Sequence, residues 1–213
     1  MFDRIAERYD LLNRLMTFGL DGRWRRRAVR ELRLPRGSSV VDLACGTGDF
    51  CEALYREGLR PLGVDFAAEM LAHAHTHAPL MRADILRLPL RDASLDGAVC
   101  GFALRNVTDI AACFAETARV LRPGGRAAFL EVGQPHVAVV RSMHSLYFNR
   151  VIPALGGLLS DRRAYQYLPD SVTYLPESAT MLGMLQQAGF VDTRCLELAA
   201  GAVQLLTATR RAA

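Results

Sequence analysis

Apolar residues recur at helical spacing from the N-terminus, at Phe2, Ile5, Tyr9, Leu12 and Leu15 and again at Trp24, Val29 and Leu32. Gly19 and Gly22 interrupt the pattern between the two sets, which predicts two helices before the first strand. From Ser39 onward the period changes. Short apolar runs near 39–43, 61–64, 79–83, 96–101 and 126–132 alternate with helix-like segments, among them 49–57 and 109–121. Strands separated by helix-length segments build a parallel sheet wound with helices. Arg122-Pro123-Gly124-Gly125 provides a helix stop and a tight turn before the strand at 126–132.

The last third reads differently. Mixed aromatics fill 143–174, a helix is predicted over 177–188, and two strands follow at 192–198 and 202–209. Only Ala199-Ala200-Gly201 lies between those strands, so they form an antiparallel hairpin that breaks the parallel pattern at one sheet edge. No repeat or low-complexity linker divides the chain, which predicts a single domain over 1–213. Its parts are N-terminal helices (1–35), an α/β core (37–134), a lid region (135–175) and a C-terminal helix with hairpin (176–210).

Composition narrows the setting. At 213 residues and 51% hydrophobic, the chain can fill one sizeable core. No apolar run approaches the ~20 residues of a membrane span, and the N-terminus lacks a signal-peptide pattern, so a cytoplasmic protein is expected. Five cysteines (45, 51, 100, 113 and 195) are odd in number and lack paired spacing, which reads as reduced thiols rather than a disulfide framework or zinc site. All 26 basic residues are arginine, a bias that weakens any argument from Arg clusters alone. The densest cluster, Arg23, Arg25, Arg26, Arg27, Arg30 and Arg33 around Trp24, fits a solvated helix face or a surface drawn to anionic lipid headgroups. No nucleic-acid motif accompanies it, so no nucleic-acid partner is expected. His73, His75 and His77 resemble a metal tract, but on a helix only His73 and His77 share a face and no carboxylate or thiol completes a ligand set; no metal is expected.

The chemistry concentrates at Asp42-Leu-Ala-Cys-Gly-Thr-Gly48, between an apolar run and a helix. A strand feeding a small-residue loop makes a nucleotide cradle, because glycines admit a ligand to the backbone and the helix start offers N–H groups. Asp65 closes the next apolar run, where a carboxylate can accept both ribose hydroxyls. A dinucleotide fingerprint would need Gly or Ala at position 51, which is Cys51, so a pyrophosphate loop is disfavoured.

The order Asp42-x-Ala44-x-Gly46-x-Gly48 resembles motif I of class I S-adenosylmethionine (SAM) methyltransferases. Three further segments narrow the likeness: Phe2-Asp3-x-x-Ala6-x-x-Tyr9-Asp10-x-x-Asn13, Phe102-Ala103-Leu104-Arg105-Asn106-Val107-Thr108-Asp109, and Tyr165-x-Tyr167-Leu168-Pro169-Asp170-Ser171. Together, over residues 2 to about 206, they resemble the ubiquinone/menaquinone biosynthesis C-methyltransferases. The resemblance implies a Rossmann-like α/β fold with a seven-stranded, mostly parallel sheet, a reversed edge strand, N-terminal helices and a helical lid. It implies SAM as cofactor, held by Asp42, Ala44, Gly46, Thr47, Gly48, Asp65, Phe66, Asp84, Ile85 and Gly101, with Asp84 and the Ile85 amide reading adenine. The implied acceptor is a polyprenylated demethyl-quinol such as demethylmenaquinol, methylated on a ring carbon. It leaves room for a homodimer and for peripheral contact with the inner face of the membrane through the basic N-terminal helix.

Methylating carbon needs a carbon nucleophile, which a hydroquinone supplies once a hydroxyl loses its proton. Arg105 is the candidate to stabilise that oxyanion or assist a water that takes the proton, and Asn106 the candidate to orient the hydroxyl. The plainer alternative is that Arg105 closes a surface ion pair and Asn106 caps the following helix. Tyr9, Tyr147, Tyr165 and Tyr167 are candidates for a lid and an apolar tunnel, and His144 for a reserve base. Two departures from the family pattern, Gly101 for a usual Ser and Gln204 near a usual His, bear on the acceptor more than on SAM. A different phenolic or polyketide acceptor, a SAM-binding subunit without turnover, and a distant NAD-dependent oxidoreductase are the competing readings.

Overall fold

The structure, a computed structural model, describes residues 17, 19–133 and 175–212. The expected first helix through Phe2 and Leu15, His144, and the aromatic lid with Tyr147, Tyr165 and Tyr167 lie outside the described residues. The elements in order are α1 (Asp21–Leu32), β1 (Ser39–Leu43), α2 (Asp49–Arg56), β2 (Arg60–Asp65), α3 (Ala68–Ala72), β3 (Leu80–Arg82) and β4 (Leu95–Gly101). A 3₁₀ turn at Leu104–Asn106 follows, then α4 (Ile110–Val120), β5 (Leu121–Val132), α5 (Ser178–Gln187), β6 (Phe190–Leu198) and β7 (Val203–Arg210).

The strands form one seven-stranded sheet in the order β3-β2-β1-β4-β5-β7-β6. β1 pairs in parallel with β2 and β4, while β7 is antiparallel to both β5 and β6. The reversal therefore falls at the hairpin margin, with β7 the reversed strand one place inside β6. Strand alternation sends neighbours to two separate cores. Val41, Leu43, Ala98, Cys100, Ala127 and Phe129 face α4 and α5, whose Phe114 and Met181 share that cluster. Val40, Val99, Ala128 and Leu130 face α1 and α2, packing on Ala28, Val29, Leu32, Phe50 and Leu54. A sheet covered on both faces explains why its central strands read as continuous apolar runs.

Three expectations need correction. The strand placed at 126–132 begins at Leu121, which pairs with Leu95 before pairing resumes at Gly97 and Arg126. The Pro-Gly-Gly turn thus sits inside an irregular strand, with Gly124 at φ +80°. β3 is shorter than 79–83, spanning Leu80–Arg82. α3 stops at Ala72 with His73 as its C-cap, its ring nitrogen 2.8 Å from the Glu69 carbonyl, so His73 and His77 share no helical face. Among the described residues no group of three or more His, Cys, Asp or Glu side chains is arranged to hold a metal.

Candidate active site

The direction in which strands are added reverses between β1 and β4, and in open α/β sheets ligands bind outside the carboxyl ends of the strands at such a switch point. A cavity of about 380 Å³ opens there, lined by residues that follow β1, β2, β3 and β4. Its position follows from topology alone.

The loop after β1 forms the first wall. Ala44 and Gly46 adopt left-handed backbone at φ +54° and +56°, and Gly48 at φ +93° starts α2. A side chain at Gly48 would lie 2.6 Å from Thr76 Cγ2, so the turn closes only with glycine there. Asp65, at the end of β2, pins the loop: its Oδ2 accepts from the Gly46 N–H at 2.7 Å and its Oδ1 from the Ala67 N–H at 2.8 Å. Phe66 next to it is 69% exposed, with the Arg82 guanidinium 5.9 Å over its ring and Arg82 Nε donating to its carbonyl at 3.1 Å. That contact holds the ring beside the cavity as an apolar wall.

Asp84, Ile85 and Leu86 form the floor after β3. Asp84 Oδ1 accepts from the Leu86 N–H at 2.9 Å, an Asx turn that aims the carboxylate side of the segment at the cavity. The far wall follows β4: Gly101, then Phe102 at φ +56°, Ala103, Asn106 at the end of the 3₁₀ turn, and Val107 and Thr108 beyond it. The Phe50 ring sits 2.9 Å from where a side chain at Gly101 would begin, which explains the absence of a larger residue there. Left-handed, non-glycine residues at both ends of the cavity, Ala44 and Phe102, store strain of a kind that clusters at ligand sites.

Of the residues singled out from sequence, Ala44, Gly46, Asp65, Phe66, Asp84, Ile85, Gly101 and Asn106 line this cavity. Asp42, Thr47, Gly48 and Arg105 do not. Asp42 lies beneath the loop, 1% exposed, with the Cys51 thiol donating to its Oδ2 at 3.4 Å. Burial pushes its carboxyl up to about 7, a rise that the Cys51 contact and Arg25 only partly offset. Thr47 is buried, and Gly48 serves as the start of α2.

Arg105 is held from behind the wall. Its Nη1 reaches Glu131 Oε1 at 2.6 Å and its backbone N–H donates to Oε2 at 3.2 Å, while Glu131 is fully buried. The ion pair anticipated at the surface is therefore an internal one. The following helix is capped by Asp109, whose Oδ1 accepts from the Ala112 N–H at 2.9 Å, so capping does not occupy Asn106.

The cavity fits a nucleoside better than a diphosphate. Carboxylates at two neighbouring strand ends suit hydroxyl and amine donors, and Phe66, Met70, Ile85 and Leu86 offer apolar surface to a flat base. The first turn of α2 carries Asp49 and Glu52, which oppose an anion at that helix start. A model of the ubiE/COQ5 methyltransferase family matches residues 1–210. The chain belongs to that family. It is a SAM-dependent methyltransferase.

A ubiquinone/menaquinone biosynthesis C-methyltransferase UbiE from Syntrophotalea carbinolica is 41% identical over 99% of this chain and 92% of that protein. A demethylmenaquinone methyltransferase from Thermus thermophilus is 43% identical over 89% and 91% respectively. Among solved structures, a SAM-dependent methyltransferase from Thermotoga maritima is similar in fold, with a TM-score of 0.67 at 20% identity over 99% of this chain and 98% of that one. For a methyltransferase of this family, sequence reasoning gave no site role to Met70, Leu86, Val107 or Thr108, which join the lining only through the turns around them. It also assigned nothing to Glu131. A charge in the apolar strand Ala127-Ala128-Phe129-Leu130-Glu131-Val132 was the available signal.

Proposed function

We propose that this chain transfers the methyl group of SAM to a ring carbon of a polyprenylated demethyl-quinol, with demethylmenaquinol as the representative acceptor. What supports the reading is one arrangement: Asp65 and Asp84 follow two strand ends on one side of the cavity, and Asn106, in the turn after β4, lines the other. When bound, the cofactor supplies an electrophilic sulfonium methyl. Asp65 accepts from its ribose hydroxyls and Asp84 from its adenine amine, while Ala44, Gly46 and Gly101 let the ligand approach the backbone. Thr47, Gly48 and Asp42 act indirectly, by shaping the loop.

On the acceptor side, Asn106 orients the quinol hydroxyl whose proton passes to a water; the charge left behind spreads onto the ring carbon, which takes the methyl and then releases its own proton to solvent as the ring regains aromaticity. Arg105 contributes by electrostatics toward the oxyanion, although Glu131 compensates much of its charge at 2.6 Å. The remaining rate enhancement comes from holding nucleophile and methyl in line. The whole chain works as one domain, and the exposed arginines of α1 bring it to the membrane surface where the quinol resides.

The test is transfer of labelled methyl from SAM to a reduced, short-chain demethylmenaquinone, with the product's ring position read by mass spectrometry and NMR. Carbon methylation at the vacant ring position is expected. Replacing Asn106 by Ala should lower kcat about 100-fold while SAM affinity stays within about threefold. Methyl appearing on oxygen, or no transfer despite SAM binding, would overturn the acceptor assignment.

A further inference from the structure

Glu131 sits at the end of an apolar strand with no exposed surface, and both of its oxygens are taken up by the segment that walls the cavity. Oε1 accepts from Arg105 Nη1 at 2.6 Å and from the Val132 N–H at 2.8 Å, and Oε2 accepts from the Arg105 backbone N–H at 3.2 Å. A carboxylate removed from water persists only where charged and polar partners surround it, and here one residue supplies two of the three. Across the sheet Gln204 pairs with Glu131 in register, and its side-chain amide donates to the Val132 carbonyl at 2.9 Å. The strand end that carries the carboxylate is thereby fixed.

The segment is tied to β5 at its entry, where the Phe102 N–H donates to the Leu130 carbonyl at 2.7 Å, and Leu104 anchors it in the core, but within the turn the other hydrogen bonds are local. Asn106 N–H donates to the Ala103 carbonyl at 2.9 Å and Val107 N–H to Leu104 at 3.1 Å, both local bonds, and the turn is entered through Phe102 in left-handed backbone. Leu104 is its one fully buried side chain. We infer that Glu131 is a positioning residue for methyl transfer: by holding Arg105 at its backbone N–H and its guanidinium together, it fixes the Leu104–Asn106 turn and sets Asn106 against the cavity. The inference rests on the acceptor-side role given above to Asn106. It also makes the Arg105 guanidinium a handle through which the turn is held, in addition to any field it exerts.

The first measurement needs no acceptor. Hydrogen exchange in Glu131→Gln should be about tenfold faster at the Asn106 and Val107 amides, with the 39–48 segment unchanged, because a locally opened turn exposes only its own amides. Unchanged exchange across 102–108 would overturn the inference, and this readout stands even if the quinol proves not to be the substrate. If Glu131→Gln fails to fold, Arg105→Lys carries the same test, since it keeps charge and backbone contact but loses the Nη1 contact to Glu131 Oε1. With the acceptor established, Glu131→Gln should lower kcat at least about tenfold and leave KM for SAM unchanged. Adding Arg105→Ala to Glu131→Gln should cost little more than the worse single change, as residues acting through one contact are not additive. Fully additive losses would overturn the inference.

Discussion

Asp42 occupies the centre of the sheet as a carboxyl group without water, and its proton affinity follows from that. In the unfolded chain it titrates near its ordinary 3.8, whereas burial raises it to about 7 in the folded protein. Between those values the folded state holds the proton more tightly, so Asp42's contribution to stability is complete below 3.8 and is lost as pH rises toward about 7. Each pH unit in that window costs roughly 1.4 kcal/mol. Asn at this position cannot ionise. The stability of Asp42→Asn relative to the unmodified chain should therefore rise with pH from about 5 to 7 and level off above, as measured by urea unfolding across that range. A difference that is flat or falls with pH would show that the carboxyl is not held protonated. Asp65, one strand away, has a different part: it lies in the cavity lining with two backbone N–H donors on its carboxylate.

Helix α4 shows how an element far from the chemistry sets the shape of the site. It follows directly on the cavity-lining residues Asn106 to Thr108, and its N-cap, Asp109, accepts the Ala112 N–H. One turn further on, Glu116 accepts the Leu88 N–H at 2.6 Å and pairs with Arg119, which donates to the Leu88 and Leu90 carbonyls. The Arg119 hydrogen bond holds the Glu116 carboxyl below its usual range. α4 thus ties the loop after β3, floor of the cavity, to the segment that forms its far wall. Asp109→Ala should cost about 1 kcal/mol and lower Tm by about 2–4 °C in a chain of this length, read by calorimetry. No change in Tm would mean that the cap is replaced by water at no cost.

At the scale of the whole molecule, the N-terminal helix divides its labour by face. Ala28, Val29 and Leu32 pack on the sheet, and Arg25 is buried, paired with Asp21 and Asp49 and lying 5.9 Å from the Phe102 ring. Arg23, Arg26, Arg27 and Arg30 stay exposed on the other side. Two of them are partly compensated, Arg27 by Glu31 and Arg30 by Glu57. No helix among the described residues is long and apolar enough to cross a membrane. Vesicles containing anionic lipid should therefore sediment the protein while neutral vesicles do not. Arg23→Glu with Arg26→Glu should weaken that binding by about 2 kcal/mol or more, at about 1 kcal/mol for each basic residue removed. Equal sedimentation with both vesicle types would remove the membrane role from this face.

The pattern of the chain determined the class of fold and the position of the small-residue cradle after β1, because both depend on local rules. Strand-length apolar runs separated by helices require a wound parallel sheet, the short Ala-Ala-Gly link requires a hairpin, and small residues after β1 with Asp65 after β2 require a cradle. Those rules extend a few residues at a time. They placed Ala44, Gly46 and Asp65 at or just past strand ends, whereas Phe66, Asp84, Ile85, Gly101 and Asn106 came with the family resemblance, and Asn106 joins the cavity through the turn after β4. Only the tertiary structure decided that Asp42 lies under the loop instead of in the cavity, and that Arg105 turns back to a carboxylate 26 residues away. Burial and long-range charge pairing depend on which strands become neighbours, and that order, β1 beside β4 and β5 beside β7, is a property of the assembled sheet.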